Sequence, residues 1–197
     1  MAKAYTIENK TIILKRELTE LDQFVKHFLA ILTHYSDYLL VSGYVSISTG
    51  RTRGTEDVDL LIPVMNKVKF IQLFQALQKE DFWCYQSDVP EEAYEYHKDL
   101  LNIRFARKGE MFPNMEVIPI DSSRRAKCFE FNHPLKMRVE EFEFKVPPLE
   151  FEILYKEMIL KGEKDIADAK HLRIVFADIL LEEKFKEYKP IILRELS

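Results

Sequence analysis

Apolar residues recur at helical spacing in two stretches of the first half of the chain. Between residues 19 and 35 the spacing is i, i+3, i+4, i+7 and i+11, which is typical of one helix face. These positions are Leu21, Phe24, Val25, Phe28 and Leu32. A second helix is predicted over residues 67–80, where Asn66 can cap its start and Phe70, Phe74 and Leu77 share a face.

Shorter apolar runs predict strands between and after these helices. They cover residues 37–48, 57–62, 100–105 and 115–120. The order helix, strand, strand, helix, strand, strand predicts an α+β (mixed α/β) fold. We expect a small mixed β-sheet core with flanking helices.

The last quarter of the chain has a helical pattern of its own. Pro147-Pro148 marks a boundary. Helices are expected over 149–161, from Lys164 onwards, and over 180–189, where Pro190 follows. We therefore expect a core domain over 1–146 and a C-terminal helical subdomain over 147–197, packed on it.

Two aspartates stand at the start of the predicted strand 57–62. Strand alternation puts Asp57 and Asp59 on one face, roughly 6.5–7 Å apart, while Val58 and Leu60 point into a core. Two adjacent carboxylates repel each other, and a divalent cation relieves that repulsion. Hard oxygen ligands suit Mg²⁺ or Mn²⁺.

The residues before the aspartates suit phosphate. Gly43 follows an apolar run, where a small residue lets a backbone or a phosphate come close. Arg51 and Arg53 lie between two glycines and can bind phosphate oxygens bidentately. If the strand extends backwards, Arg53 and Thr55 share the face of the two aspartates.

This segment resembles the nucleotidyltransferase signature of the DNA polymerase β superfamily. It departs from that signature at Ser42, which replaces a glycine, and at Val45, which replaces an alanine. Ser42 and Gly43 fall on the paired small residues of the signature, and the other matching positions are Gly50, Arg53, Thr55, Asp57 and Asp59.

The resemblance implies the fold of that superfamily and a two-metal site for nucleotidyl transfer. Asp57 and Asp59 would be catalytic and would hold Mg²⁺ (or Mn²⁺). The turn at Ser42 and Gly43 would hold the triphosphate of an NTP. Arg53 and Thr55 would complete the nucleotide-binding set.

The resemblance also implies a third catalytic, metal-binding carboxylate on a neighbouring strand. Glu116 lies between Met115 and Val117, in the expected apolar–acidic–apolar pattern, and is favoured. Asp121 is the alternative. It lies five residues further on, in the opposite strand phase, and is more typical of a loop after the strand.

The helical half carries a second pattern. Lys156, followed by Lys164-Asp165-x-x-Asp168, is similar to motifs of nucleotidyltransferase-like proteins of the abortive-infection toxin (AbiEii-like) type. That similarity implies that Lys156 and Lys164 reach the triphosphate. Considered alone, Lys164 and Asp165 fit a helix cap equally well, because an acidic residue near a helix start is favoured by the dipole.

Composition narrows the class of protein. The net charge is −4, from 29 basic and 33 acidic residues, which argues against general nucleic-acid binding. Cys84 and Cys128 show neither metal-ligand spacing nor a disulfide pattern. No apolar run approaches the roughly 18–20 residues that cross a bilayer. We expect a cytoplasmic protein with no membrane partner.

The function implied is metal-dependent transfer of an NMP from ATP or another NTP to a hydroxyl acceptor. The acceptor is open between tRNA and a small molecule. A tRNA acceptor would make the chain the toxin of a toxin–antitoxin pair, with an antitoxin-like protein partner. The alternatives are a catalytically silent nucleotide-binding protein of the same fold and an interaction protein in which the aspartate pair is incidental.

Overall fold

The computed structural model describes residues 3–195, and the chain divides into two compact units. Unit 1 consists of Met1–Leu18, Leu39–Arg53 and Ser122–Ser197, and unit 2 of Thr19–Tyr38 and Gly54–Asp121. Each unit is therefore built from separated stretches of sequence. The domain boundary expected at residue 147 stays a prediction.

Helices and strands alternate along most of the chain. In chain order they are β1 (Tyr5–Glu8), β2 (Thr11–Leu14), α1 (Glu20–Leu32), β3 (Leu39–Leu40), α2 (Gly43–Ser48), β4 (Asp57–Pro63), α3 (Lys67–Lys79), β5 (Phe82–Cys84), α4 (Pro90–Lys98), β6 (Ile103–Arg107), β7 (Asn114–Ile120), α5 (Arg125–Asn132), β8 (Leu135–Val139), β9 (Phe142–Val146), α6 (Leu149–Tyr155) with a π-helical continuation (Lys156–Leu160), α7 (Glu163–Val175) and α8 (Glu182–Leu193).

Unit 2 contains the predicted mixed sheet. Its strands lie side by side in the order β4, β7, β6, β5. β4 pairs with β7 in parallel, whereas β7–β6 and β6–β5 are antiparallel. The α+β fold class expected from the sequence is confirmed.

Side chains cap the first turns of two helices in unit 2, and the cap expected at Asn66 is confirmed. Thr19 and Asp22 form a reciprocal capping box at the start of α1. The Asn66 side chain accepts a hydrogen bond from the Lys69 backbone N–H at the start of α3. Phe28 of α1 and Phe74 of α3 both pack against Phe105 of β6. The predicted apolar faces of these helices therefore form the core of the unit.

Unit 1 contains a sheet that the apolar pattern does not predict. The strand order is β1-β2-β8-β9, with β2 and β8 parallel and the other pairs antiparallel. The β1–β2 turn is made by Asn9 and Lys10, both with positive φ. Such a turn matches the twist of a hairpin. The strands are four or five residues long, so each gives only a weak periodic signal.

Two predicted elements are wrong in detail. The strand expected over 37–48 is reduced to Leu39–Leu40, and Gly43–Ser48 forms helix α2. The Ser48 hydroxyl is satisfied within the helical turn, since it donates to the Val45 carbonyl at 2.9 Å. Strand β4 begins only at Asp57, so Arg53 and Thr55 do not continue its face.

The last predicted helix also differs. α8 continues through Pro190 to Leu193, although proline was expected to end it. Pro190 has no backbone N–H to donate to the carbonyl of Lys186, four residues earlier, and Lys186 is an exposed residue. Among residues 3–195, no helix is long and apolar enough to span a membrane.

His97 is a fully buried histidine in unit 2. Its Nε2 accepts a hydrogen bond from the Met65 backbone N–H at 2.9 Å, and its ring stacks on Phe70. Burial lowers the pKa of His97 to about 4 from its ordinary value of 6.5. The ring is therefore neutral in the folded protein at physiological pH.

We expect this histidine to make the protein less stable in acid. Between pH 6.5 and about 4 the unfolded chain binds a proton that the folded His97 does not. Its contribution to the free energy of unfolding therefore falls by about 1.4 kcal/mol per pH unit as the pH decreases. Urea unfolding of the wild type and of His97→Gln at several pH values measures the difference, with exposed His34→Gln as the control. A His97 ring that titrates near 6.5 by NMR would contradict this account.

Candidate functional site

The aspartate pair lies at the start of β4 in unit 2. Asp57 and Asp59 are each partly exposed, while Val58 and Leu60 are completely buried. The alternation predicted for this strand is therefore confirmed. The Thr55 hydroxyl donates to the backbone carbonyl of Asp57 at 2.7 Å, so Thr55 holds the chain just before the strand.

Glu116 lies on the strand next to the aspartate pair. The parallel register of β4 and β7 places Glu116 opposite Asp59 and Asn114 opposite Asp57. Glu116 is almost buried, and its Oε1 accepts hydrogen bonds from Arg104 Nη2 at 2.9 Å and from Asn102 Nδ2 at 2.8 Å. Arg104 is its partner across the antiparallel pair of β6 and β7.

Asp121 lies elsewhere. It follows Ile120, the last residue of β7, and its side chain is exposed. It is five positions along the chain from Glu116, a distance of roughly 16 Å in extended backbone. Glu116 is thus the acidic residue of this segment that is in register with the aspartates, and its role as third carboxylate stays a prediction.

The donor chemistry of these residues suits a hard cation, but they do not form a ready-made cluster. Carboxylate oxygens are the ligands that Mg²⁺ and Mn²⁺ prefer. Within residues 3–195, no group of three or more His, Cys, Asp or Glu side chains is arranged to hold a metal ion. The fit therefore rests on Asp57 and Asp59, because the Glu116 carboxylate is already engaged by Arg104.

The Ser42–Gly43 turn belongs to unit 1. Ser42 has φ 61° and ψ −126°, a left-handed conformation that is strained for any residue with a side chain. Glycine is the residue that adopts it without cost. At Ser42 a serine replaces the glycine of the resembled signature, but the backbone still has a conformation typical of glycine.

Replacing Ser42 by glycine should stabilise the fold. Relief of the strained backbone, about 1–3 kcal/mol, outweighs the extra entropy of glycine in the unfolded chain. We expect the free energy of unfolding to rise by about 1 kcal/mol, measured by urea titration. Ser36→Gly is the matched control, because Ser36 lies in a loop outside the positive-φ residues of the described chain. A Ser42→Gly variant no more stable than wild type would refute the strain.

A cluster of charges in unit 1 is centred on Asp168 of α7, whose side chain is completely buried. Arg53 binds it bidentately, with Nε 3.2 Å from Oδ1 and Nη2 3.0 Å from Oδ2. Arg51 Nε donates to Oδ1 at 2.9 Å. Lys156 Nζ lies 3.3 Å from Oδ2. One buried carboxylate therefore holds three cations.

Lys156 lies in the π-helical segment and is fully buried. Besides Asp168, its ammonium is 3.4 Å from Glu152 Oε1 and 3.9 Å from Asp165 Oδ1. To reach a ligand it would have to leave these carboxylates. Lys164, near the start of α7, is exposed. Contact of either lysine with a triphosphate stays a prediction.

Gly43 and Arg53 are in close contact. A Cβ atom at residue 43 would lie 2.4 Å from Arg53 Nη2, which is too close for any side chain unless the guanidinium moves. The sequence identifies both residues as phosphate-binding candidates, and the structure brings them together. Gly43 is needed here because it lets the arginine lie against the turn.

The loop that carries the two arginines has a second attachment to α7. The Thr49 hydroxyl donates to the Ser46 carbonyl, so its 3.1 Å contact with His171 Nε2 requires the histidine to donate. His171 and Asp168 are three residues apart on the same helix face. Burial is the main cause that lowers the pKa of His171, and the nearby Arg51 lowers it further. These pairings join residues more than 110 positions apart, so spacing along the chain does not predict them.

Comparison with known proteins supports the fold. No protein-family model matches the chain, and no curated protein is similar in sequence. Among solved structures, the chain resembles the crystal structure of an antigenic nucleotidyltransferase-like protein from Paracoccidioides brasiliensis. The TM-score is 0.50 with 16% sequence identity, and the match covers 87% of this chain and 84% of the other. At this identity the likeness concerns the fold, which is nucleotidyltransferase-like.

Proposed function

We propose that this protein is a metal-dependent nucleotidyltransferase that moves an NMP from an NTP to a hydroxyl acceptor. The observation that carries the proposal is the arrangement of Asp57 and Asp59 at the start of a buried strand, with Glu116 opposite Asp59 on the neighbouring parallel strand. The nucleotidyltransferase-like fold of the structural relative adds independent support.

In this proposal the carboxylates of unit 2 hold the metal. Asp57 and Asp59 are the principal ligands, and Glu116 is the third carboxylate. Mg²⁺ or Mn²⁺ bound there neutralises phosphate charge and lowers the pKa of the acceptor hydroxyl. The Thr55 hydroxyl, bonded to the Asp57 carbonyl, keeps the first aspartate in position.

The phosphate-binding part of the proposal belongs to unit 1. Ser42 and the buried Gly43 form a turn of small residues, and the Arg53 guanidinium lies against it. Exposed Lys164 is a further candidate. The ammonium of the buried Lys156 is held by carboxylates, so Lys156 is proposed to act on the phosphates from the interior and not from the surface. The acceptor is a tRNA end, as for an abortive-infection toxin of the AbiEii-like type with an antitoxin-like partner, or a small molecule.

A catalytically silent nucleotide-binding protein is the second candidate. The observation in its favour is the Glu116 carboxylate, which is already bonded to Arg104 and Asn102. If those bonds persist in the presence of metal, the third ligand is lacking. Such a protein binds NTP without releasing pyrophosphate.

The deciding experiment is pyrophosphate release from each of the four NTPs with Mg²⁺ or Mn²⁺, with and without total tRNA. Wild-type protein is compared with Asp57→Asn. Release that needs both the metal and Asp57 is expected, and its dependence on tRNA identifies the acceptor class. No release in any condition, together with a nucleotide-induced rise in melting temperature, would favour the silent protein.

The third carboxylate can be identified by two matched variants. Glu116→Gln should lower the turnover rate at least about 100-fold, because it removes one anionic ligand from a site that depends on charge. Asp121→Asn should leave turnover within about twofold of wild type. Steady-state rates at saturating NTP and Mg²⁺ measure both. The reverse ranking would transfer the role to Asp121.

A further inference from the structure

We propose that Asp168 is a positioning residue that orients Arg51 and Arg53 to bind a phosphate-bearing ligand. This inference rests on the proposed function for the identity of the ligand, an NTP. The arrangement itself is a property of unit 1 and can be measured without turnover. The earlier motif similarity singled out the lysines of this region and left Asp168 without a role.

The contacts of Asp168 with the two arginines have a defined geometry. Arg53 meets Asp168 through two roughly parallel hydrogen bonds, of 3.2 and 3.0 Å, which fix the plane of the guanidinium as well as its position. Arg51 adds a bond of 2.9 Å to the same Oδ1 atom. A single carboxylate therefore sets the orientation of both arginines.

The anionic and cationic side chains of the cluster differ in their exposure to solvent. The side chains of Asp168 and Lys156 are 0% exposed, whereas those of Arg51 and Arg53 are 27% and 15% exposed. The negative charge is therefore beneath the surface and the part that reaches solvent is positive. Two adjacent guanidinium groups on a buried anion are suited to phosphate oxygens.

Lys156 does not depend on Asp168 alone for its counter-charge. Its ammonium also contacts Glu152 and Asp165, both nearly buried, and these carboxylates help to balance its charge. Three carboxylates, Glu152, Asp165 and Asp168, thus balance the charges of Arg51, Arg53 and Lys156, which makes a cluster of cations tolerable in the interior. Asp168 is the one of the three carboxylates that both arginines contact.

The loop that carries the two arginines is also held by contacts that do not involve Asp168. Thr49 contacts His171, and the Arg51 backbone N–H donates to the Ser46 carbonyl at 3.1 Å. Loss of the Asp168 charge should therefore release the arginine side chains while the loop stays in place. Arg53 would then leave its contact with Gly43.

The experiment compares wild type with Asp168→Asn, and uses Asp178→Asn as a control. Asp178 also accepts a side-chain hydrogen bond within unit 1, from Tyr5, but lies outside this cluster. NMR spectra of the arginine Nε–H groups report whether the guanidinium groups are held. Calorimetric titration with inorganic tripolyphosphate measures phosphate binding at a temperature at which all variants are folded. Steady-state kinetics give KM for NTP and kcat.

We expect Asp168→Asn to lose two slowly exchanging arginine signals, to bind tripolyphosphate at least 10-fold more weakly, and to raise KM for NTP with a smaller change in kcat. Asp178→Asn should match wild type in all three. If Asp168→Asn does not fold, Arg53→Lys takes its place, since lysine keeps the charge but not the bidentate geometry, and the same 10-fold loss is expected.

Unchanged arginine signals in Asp168→Asn, or lost signals with unchanged tripolyphosphate binding, would overturn the proposal, as would Arg53→Lys with wild-type affinity. If tripolyphosphate binding depends on Asp168 but the wild-type protein turns over no NTP, the proposed function is refuted and this inference stands.

Discussion

Asp59→Asn is expected to lower kcat/KM for nucleotidyl transfer at least about 10³-fold, equivalent to about 4 kcal/mol of transition-state stabilisation. The substitution removes one negative charge from the proposed metal site and keeps the shape of the side chain. Because Asp59 is only partly buried at the start of β4, the neutral amide should fit without disturbing Val58 or Leu60.

The measurement is the steady-state rate together with the melting temperature of each variant. Asp57→Asn should behave like Asp59→Asn, whereas Glu56→Gln, an exposed neighbour just before the strand, should be close to wild type. Melting temperatures within a few degrees of wild type would show that activity, not folding, was lost. Full activity in Asp59→Asn would remove the aspartate pair from the mechanism.

Lys156→Met is expected to lower the free energy of unfolding by about 3–5 kcal/mol. Removing one partner from a buried ionic cluster leaves the remaining charges unbalanced, and this costs far more than the pair itself contributes. Here Glu152 and Asp168 would both lose a cation at 3.3–3.4 Å. Methionine fills nearly the same volume, so the loss measures charge and not a cavity.

Urea unfolding of Lys156→Met beside Lys164→Met provides the test, because Lys164 is an exposed lysine on α7. The control should change stability by less than about 0.5 kcal/mol. Adding Glu152→Gln to Lys156→Met should recover part of the loss by removing an uncompensated anion. A loss below about 1 kcal/mol for Lys156→Met would contradict the buried network.

Much of unit 2 could be predicted from sequence because its signals are local. α1 and α3 have apolar faces of helical period, and the cap predicted at Asn66 starts α3. The alternation at Asp57–Leu60 predicts a strand with two carboxylates on its outer face, and the burial of Val58 and Leu60 agrees. Each of these features is encoded within a few residues.

Unit 1 could be predicted less well because its interactions are not local. β2 pairs with β8, more than 120 positions away, and short strands carry little periodicity. The stretch Gly43–Ser48 alternates like a strand but folds as helix α2. The local pattern does not distinguish strand from helix here, so tertiary packing determines which of them forms.

The candidate site shows the same division. The sequence identifies Asp57, Asp59 and Arg53 as chemically significant residues, because their types and spacing carry the signal. The register that puts Glu116 opposite Asp59 depends on strand pairing. The ion pair between Asp168 and Arg53 joins positions 115 residues apart. Spacing along the chain predicts neither the register nor this ion pair.

The class of reaction can be determined with ATP (or the preferred NTP) that carries ³²P at the α or the γ position. With Mg²⁺ and a mixed pool of tRNA and small hydroxyl acceptors, we expect the α-label to enter the acceptor and the γ-label to leave as pyrophosphate. Transfer of the γ-label to the acceptor would make the protein a kinase and refute the proposed nucleotidyl transfer, and nucleotide binding with no transfer of either label would refute it equally.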